Sequence, residues 1–143
     1  MRMAAATTSR NKATYMADHN EIGQWGEDIA ALYLQDKGYR IVERDWRYGH
    51  RDIDIIALDG DNIVFVEVRT RQSAAIMPPE QTVNAKKQRM LNVAANRYVR
   101  MHRLNLPLRF DIVAITGSPD DDISINHMEN AFIPEPAHSW RRH

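Results

Sequence analysis

Apolar positions along the chain fall into blocks with two different periods. From Ile22 to Lys37, Trp25, Ile29, Leu32 and Tyr33 recur at i, i+4, i+7 and i+8, the stripe of an amphipathic helix, and Gly38 follows as its cap. Tyr39–Arg47 (YRIVERDWR) is rich in β-formers and predicts a strand, with Arg47–Arg51 as a polar loop. Two further β-rich runs, Asp52–Asp59 and Asn62–Arg71, flank Gly60-Asp61, a dipeptide suited to a tight hairpin. After a loop over Ser73–Gln81 containing Pro78-Pro79, Leu91, Ala94, Ala95 and Tyr98 mark one face of a helix from Thr82 to about His102. Leu108–Thr116 (LRFDIVAIT) reads as a buried strand ended by Gly117-Ser118-Pro119, and Ile123–His127 as a short peripheral one. Residues 1–20 lack periodicity and read as a mobile arm, 21–133 as one domain, and 134–143 as an irregular tail.

The predicted order is α-β-β-β-α-β-β. The second helix can serve as the crossover to a parallel strand, which implies an α/β fold with a single mixed β-sheet flanked by helices. Strand alternation places Ile63, Phe65, Glu67, Arg69 and Arg71 on one face. With Gly60-Asp61 as the two-residue loop, Asp54 lies opposite Glu67, Asp52 opposite Arg69 and Ile56 opposite Phe65. With Asp59-Gly60 as the loop, Asp52 faces Glu67 instead. Either register gathers carboxylates, whose Cβ atoms would stand about 4.5–5.5 Å apart when directly paired. Like charges so placed destabilise a sheet unless offset. A hard divalent cation, a raised pKa on one acid and pairing with Arg69 are three ways to do so. Spacing alone does not choose among them.

Composition narrows the chemistry. The absence of cysteine excludes disulfides, thiolate zinc sites and a cysteine nucleophile. The six histidines show no ligand spacing, and only His50 lies close in sequence to the acidic strand. No Walker-type or GxGxxG loop is present, which argues against nucleotide enzymes. Lys+Arg and Asp+Glu each total 19, yet Gln81–Phe110 carries only basic ionised residues and Gly117–Glu135 only acidic ones, so the neutral sum hides a polarised chain. No apolar run approaches the roughly 20 residues that span a bilayer, and the N-terminus has no apolar signal core, so a cytoplasmic protein is expected. Trp25 and Trp46 read as core residues, and Asp111, in an apolar strand, as a structural or supporting acid.

Taken in order, GQWGEDIAALYLQDKGYRIV, RDIDIIALDGDNIVFVEVRTR, VNAKKQRMLNVAANRYV, RFDIVAI and ISINHMENAF resemble the YraN family of bacterial proteins over about Ile22 to Phe132. That family looks like a branch of the PD-(D/E)xK nuclease superfamily, with a restriction-endonuclease-like fold similar to Holliday-junction resolvases. The resemblance implies a metal-dependent endonuclease that hydrolyses phosphodiester bonds, with branched DNA as the expected substrate and DNA ahead of RNA. By position, Asp54 matches the motif aspartate, Glu67 the second acid, Arg69 the place of the lysine, and Glu27 an acid that resolvase-like members add from the first helix. Asp54, Glu67 and Glu27 would then hold Mg²⁺ or Mn²⁺, with the Val68 carbonyl as a further ligand. Arg69 and Lys87 would act on the phosphate, and Arg47, Arg51, Arg71, Lys86, Lys87 and Arg89 would grip nucleic acid. For any one of these lysines a solvated helix face is the plainer reading.

Two departures bear on activity. Arg51-Asp52-Ile53-Asp54 stands where the family usually has Gly-Glu-Ile-Asp. Arg69 can stabilise a pentavalent phosphate, but a guanidinium is no general base. The alternative is therefore a nucleic-acid-binding or adaptor protein with a nuclease fold and little catalysis, and a third reading is a scaffold whose acids merely pair with arginines. Resolvases act as dimers on two-fold symmetric junctions, so a homodimer is expected by analogy.

Overall fold

The fold is that of a computed structural model, which describes residues 15–72 and 83–135, with side chains from residue 21 onward. Its elements are α1 (Tyr15–Asp36), β1 (Arg40–Tyr48), β2 (Arg51–Asp59), β3 (Asn62–Arg71), α2 (Ala85–Met101), β4 (Leu108–Thr116) and β5 (Ser124–Phe132). They form one five-stranded sheet in the order β1-β2-β3-β4-β5. The β3/β4 pair is parallel and the other three are antiparallel. This is the mixed α/β sheet that the periodicity predicts, with α2 as the crossover between the parallel strands. No helix among the described residues is long and apolar enough to cross a membrane.

Each helix covers one face. Ile29, Ala30 and Leu34 of α1 pack with Ile55, Ala57, Val64, Val66, Val113 and Ile115. Leu91, Ala94, Ala95 and Tyr98 of α2 pack with Ile53, Ile56, Ile63, Phe65, Phe110 and Ile112. The β3 sequence is apolar on both faces because both are covered. Leu32, expected in the α1 stripe, is 47% exposed, and Ala31 and Leu34 take the buried positions. Near Gly26 the helix lies very close to the sheet: a Cβ there would come within 2.3 Å of Thr70 Cγ2.

Several expectations need correction. The loop expected over Arg47–Arg51 shrinks to a turn at Gly49-His50, with Tyr48 paired to Arg51; Gly49 supplies the left-handed φ of 64° that this turn requires. The peripheral strand extends to Phe132, where it passes a register shift and stacks the Phe132 ring on Phe110. Helix α1 begins at Tyr15, inside the arm expected over 1–20. The start of the expected tail is fixed on α2. Asn92 donates from Nδ2 to the Glu135 carbonyl (2.7 Å) and accepts from the Glu135 N–H at Oδ1 (3.0 Å). Residues 1–14, most of the proline-containing loop and the tail with Trp140 lie outside the described residues.

Candidate metal centre

The site begins with a break in strand alternation. Ile53 and Ile55 should share a face, yet Ile53 packs in the α2 core and Ile55 in the α1 core. Strand β1 does the same opposite them: Arg44 reaches the carboxylates of α1, whereas Trp46 packs with the α2 core. The pairs Arg44↔Ile55 and Trp46↔Ile53 bracket Asp45 and Asp54, so the two aspartates face each other where both strands turn over. Asp45 adopts φ 50°, which lets β1 make this turn.

The β2/β3 register runs from Asp59↔Asn62 to Ile55↔Val66 and includes Ile56↔Phe65, which establishes Gly60-Asp61 as the loop. It does not continue to the expected pairs Asp54↔Glu67 and Asp52↔Arg69. Instead Asp54 Oδ2 accepts the Val68 N–H at 2.8 Å, a side-chain oxygen serving the amide where the paired ladder has stopped. Asp52 pairs with Arg47 on the other neighbour.

Carboxylates converge on this break from two strands and a helix. One oxygen each from Glu27, Asp45 and Asp54 lies within 4.8 Å of the others. Burial, a hydrogen bond with Asp45 and the charge of Asp54 push the Glu27 carboxyl up to about 8, against the pull of Arg44. Burial and the charge of Glu67 push Asp54 up to about 7, against the Val68 N–H and Lys87. Glu27 Oε1 is buried and has no hydrogen-bond partner. Arg44 Nη2 stands 3.6 Å from that oxygen but 2.7 Å from Asp28, where its hydrogen bond is made.

Glu67 lies on the α2 side, its side chain 5% exposed, with Oε2 3.1 Å from Arg69 Nη1 and 3.7 Å from Lys87 Nζ. Of the acids expected to bind metal, Asp54 and Glu27 thus share one compact group. Glu67 is close enough to perturb Asp54 while it contacts two cationic side chains. Of the three ways to offset the repulsion, the pairing with Arg69 and the raised carboxyl both occur. An all-carboxylate donor set with a buried, orphaned oxygen also suits a hard divalent cation.

Asp45 was missed by sequence reasoning. The available signal was Gly49-His50: taken as a two-residue turn rather than part of a longer loop, it places Asp45 opposite Asp54.

Lys87 is positioned by the start of α2, where the Asn84 side chain caps its N–H at 2.9 Å. Lys86 beside it is exposed. Arg71 ends β3, and its carbonyl accepts the Gly117 N–H at 2.7 Å. Arg47 and Arg51 flank the Gly49-His50 turn, and His50 is exposed within it, outside the carboxylate group. Arg89, one turn after Lys86 on α2, lines a cavity with Phe132 and Ile133.

Residues 26–115 match the family described as Uncharacterised protein family UPF0102. A UPF0102 protein of Porphyromonas gingivalis is 42% identical over 118 residues, which cover 82% of this chain and 87% of the relative. Similar proteins from Bacteroides thetaiotaomicron (39% over 119 residues, 83% of this chain and 98% of the relative) and Flavobacterium psychrophilum (41% over 117 residues, 82% and 98%) bear the same family name. The matched segment runs from the glycine beside Glu27 almost to the end of β4, so it contains the C-terminal half of α1, all of α2 and every acid of the cluster. The chain therefore belongs to UPF0102, the YraN family that its motifs resemble.

Proposed function

We propose that this protein is a divalent-metal-dependent endonuclease acting on DNA, with branched DNA as its substrate class. The observation that carries the reading is the convergence of Glu27 and Asp54 at a strand break whose other side presents Glu67, Arg69 and Lys87. Bound Mg²⁺ or Mn²⁺ would supply Lewis acidity and a water of lowered pKa. Asp54 is anchored through Oδ2 by the Val68 amide, which leaves Oδ1 available to a cation. Glu27 and Glu67 add carboxylate oxygens from the two sides of the sheet. Arg69 is a fixed positive charge for the phosphate as negative charge builds on it. Lys87 supplies an ammonium beside Glu67, and this partly restores the lysine chemistry that Arg69 lacks.

The test is cleavage of linear, single-stranded and four-way-junction DNA with Mg²⁺ or Mn²⁺, using the parent, Asp54→Ala and Glu67→Ala. Either substitution should lower the rate by roughly 100-fold or more. Metal-dependent cutting that survives in either variant would overturn the site. Absence of cutting together with salt-sensitive DNA binding would transfer the protein to the binding or adaptor reading.

A further inference from the structure

We propose that Asp45 is a metal ligand, a carboxylate additional to the family's motif acids that completes the cation site with Glu27 and Asp54. The inference rests on the metal-centre reading above and concerns a residue that the motif does not include.

The argument starts from the backbone. A strand residue ordinarily has a strongly negative φ, and apart from glycine the left-handed region is visited mainly by single Asn and Asp residues. Asp45 is held there at φ 50° in the middle of β1. The neighbouring pairs keep their register on both sides, so the conformation changes which way the strand faces and leaves its pairing intact. The change brings an Asp45 oxygen within 4.8 Å of those of Glu27 and Asp54.

Arginine pairing does not account for the cluster. Arg44 stands 3.6 Å from Glu27 but makes its short contact, at 2.7 Å, with Asp28 on the flank of the group. Asp45 and Glu27 lie against each other, and the buried Glu27 Oε1 makes no hydrogen bond, with Arg44 Nη2 3.6 Å away. A hard cation answers both features: it takes several carboxylate oxygens at once and gives the buried Glu27 oxygen a positive centre to bind.

The experiment is direct Mn²⁺ binding to the full chain without DNA, read by the electron paramagnetic resonance signal of free Mn²⁺. Asp45→Asn keeps the side-chain size and removes the charge. Asp45→Gly removes the carboxylate and adopts the left-handed φ freely, so it preserves the fold that a bulkier change would disturb. Thermal unfolding of both variants reports the fold separately. Each should bind Mn²⁺ at least 10-fold more weakly than the parent, while Asp52→Asn, whose acid lies outside the group, should bind as the parent does. Parent-like affinity in either Asp45 variant, with affinity lost in Asp54→Asn, overturns the role of Asp45 and leaves the metal centre standing. Parent-like affinity in Asp54→Asn as well, or no Mn²⁺ binding by the parent, overturns both readings.

Discussion

Asp54 and Asp111 are aspartates on neighbouring regions of one sheet with opposite electrostatics. Asp111 has no solvent exposure, and its burial acts to raise its pKa. Hydrogen bonds from His127 Nε2 at 2.7 Å, Arg109 Nε at 2.9 Å and the Asn130 N–H at 3.1 Å outweigh that and hold it down at about 2. Asp54 receives one backbone hydrogen bond and feels the charge of Glu67, so burial wins and it rises to about 7. The signs of their stability effects therefore differ. Asp111 has a folded pKa below the unfolded value, so its contribution is present above about pH 4 and is lost as pH falls through about 2. Asp54 and Glu27 have raised folded values, so their contribution is complete below about pH 4 and is lost as pH rises through about 7 and 8. In chelator, stability to urea should decline from about pH 5 to pH 8, and Asp54→Asn should flatten that decline. An unchanged slope in the variant would contradict the assignment.

Sequence made some of this visible. Asp111 stood out as an acid in an apolar strand, and alternation along β3 put Glu67 on the face that α2 and Lys87 cover. Alternation along β4 puts Arg109 on the face of Asp111, but Tyr39 and His127 were not legible as partners because they reach it from before β1 and from β5.

At the scale of elements, α1 contains two glycines in opposite surroundings. A Cβ on Gly23 would meet nothing within 4 Å, whereas one on Gly26 would run into Thr70. Gly23→Ala should stabilise the protein by roughly 0.5–1 kcal/mol through helix propensity. Gly26→Ala should destabilise it by about 1–3 kcal/mol, since α1 or Thr70 must move. Denaturant midpoints of the two variants on opposite sides of the parent would confirm the close approach; matching shifts would contradict it. The displacement in Gly26→Ala falls beside Glu27, so it should also weaken Mn²⁺ binding. Strands β3 and β4 were readable to the residue because both of their faces are buried. The far half of β5 was not, because an edge strand with exposed Met128, Glu129 and Asn130 loses its apolar signal. The slip at Asp45 and Asp54 was hidden for a related reason: alternation assumes an unbroken pleat, and the site is where the pleat breaks.

Across the whole molecule, the basic and acidic stretches of the chain meet at one point among the described residues. Arg109, from the basic stretch, contacts Asp59 at 2.9 Å and Asp111 at 2.9 Å and approaches Glu129 at 3.7 Å, while Lys37 meets Glu129 at 3.1 Å. The two segments thus meet where Arg109 of β4 approaches Glu129 of β5, and Arg109 is enclosed by acids. Beside the carboxylate site, Arg69, Arg71, Lys86 and Lys87 form a small basic group that a phosphate backbone could meet. With about four phosphates neutralised, the logarithm of DNA affinity should fall against the logarithm of salt with a slope of roughly −4. Lys86→Ala should make that slope shallower by about one, measured by fluorescence anisotropy. A slope unchanged in the variant would place the DNA elsewhere.

The Val68 amide gives its proton to the Asp54 carboxylate and not to a strand carbonyl. Its proton chemical shift is therefore a spectroscopic gauge of the charge on that carboxylate, readable in a single amide cross-peak. A cation or a proton arriving at Asp54 withdraws electron density from the oxygen that Val68 contacts and moves this resonance. The residue beside Glu67, itself uncharged and chemically inert, thus provides an intrinsic titration indicator for the centre, observable without substrate or label on any neighbouring side chain.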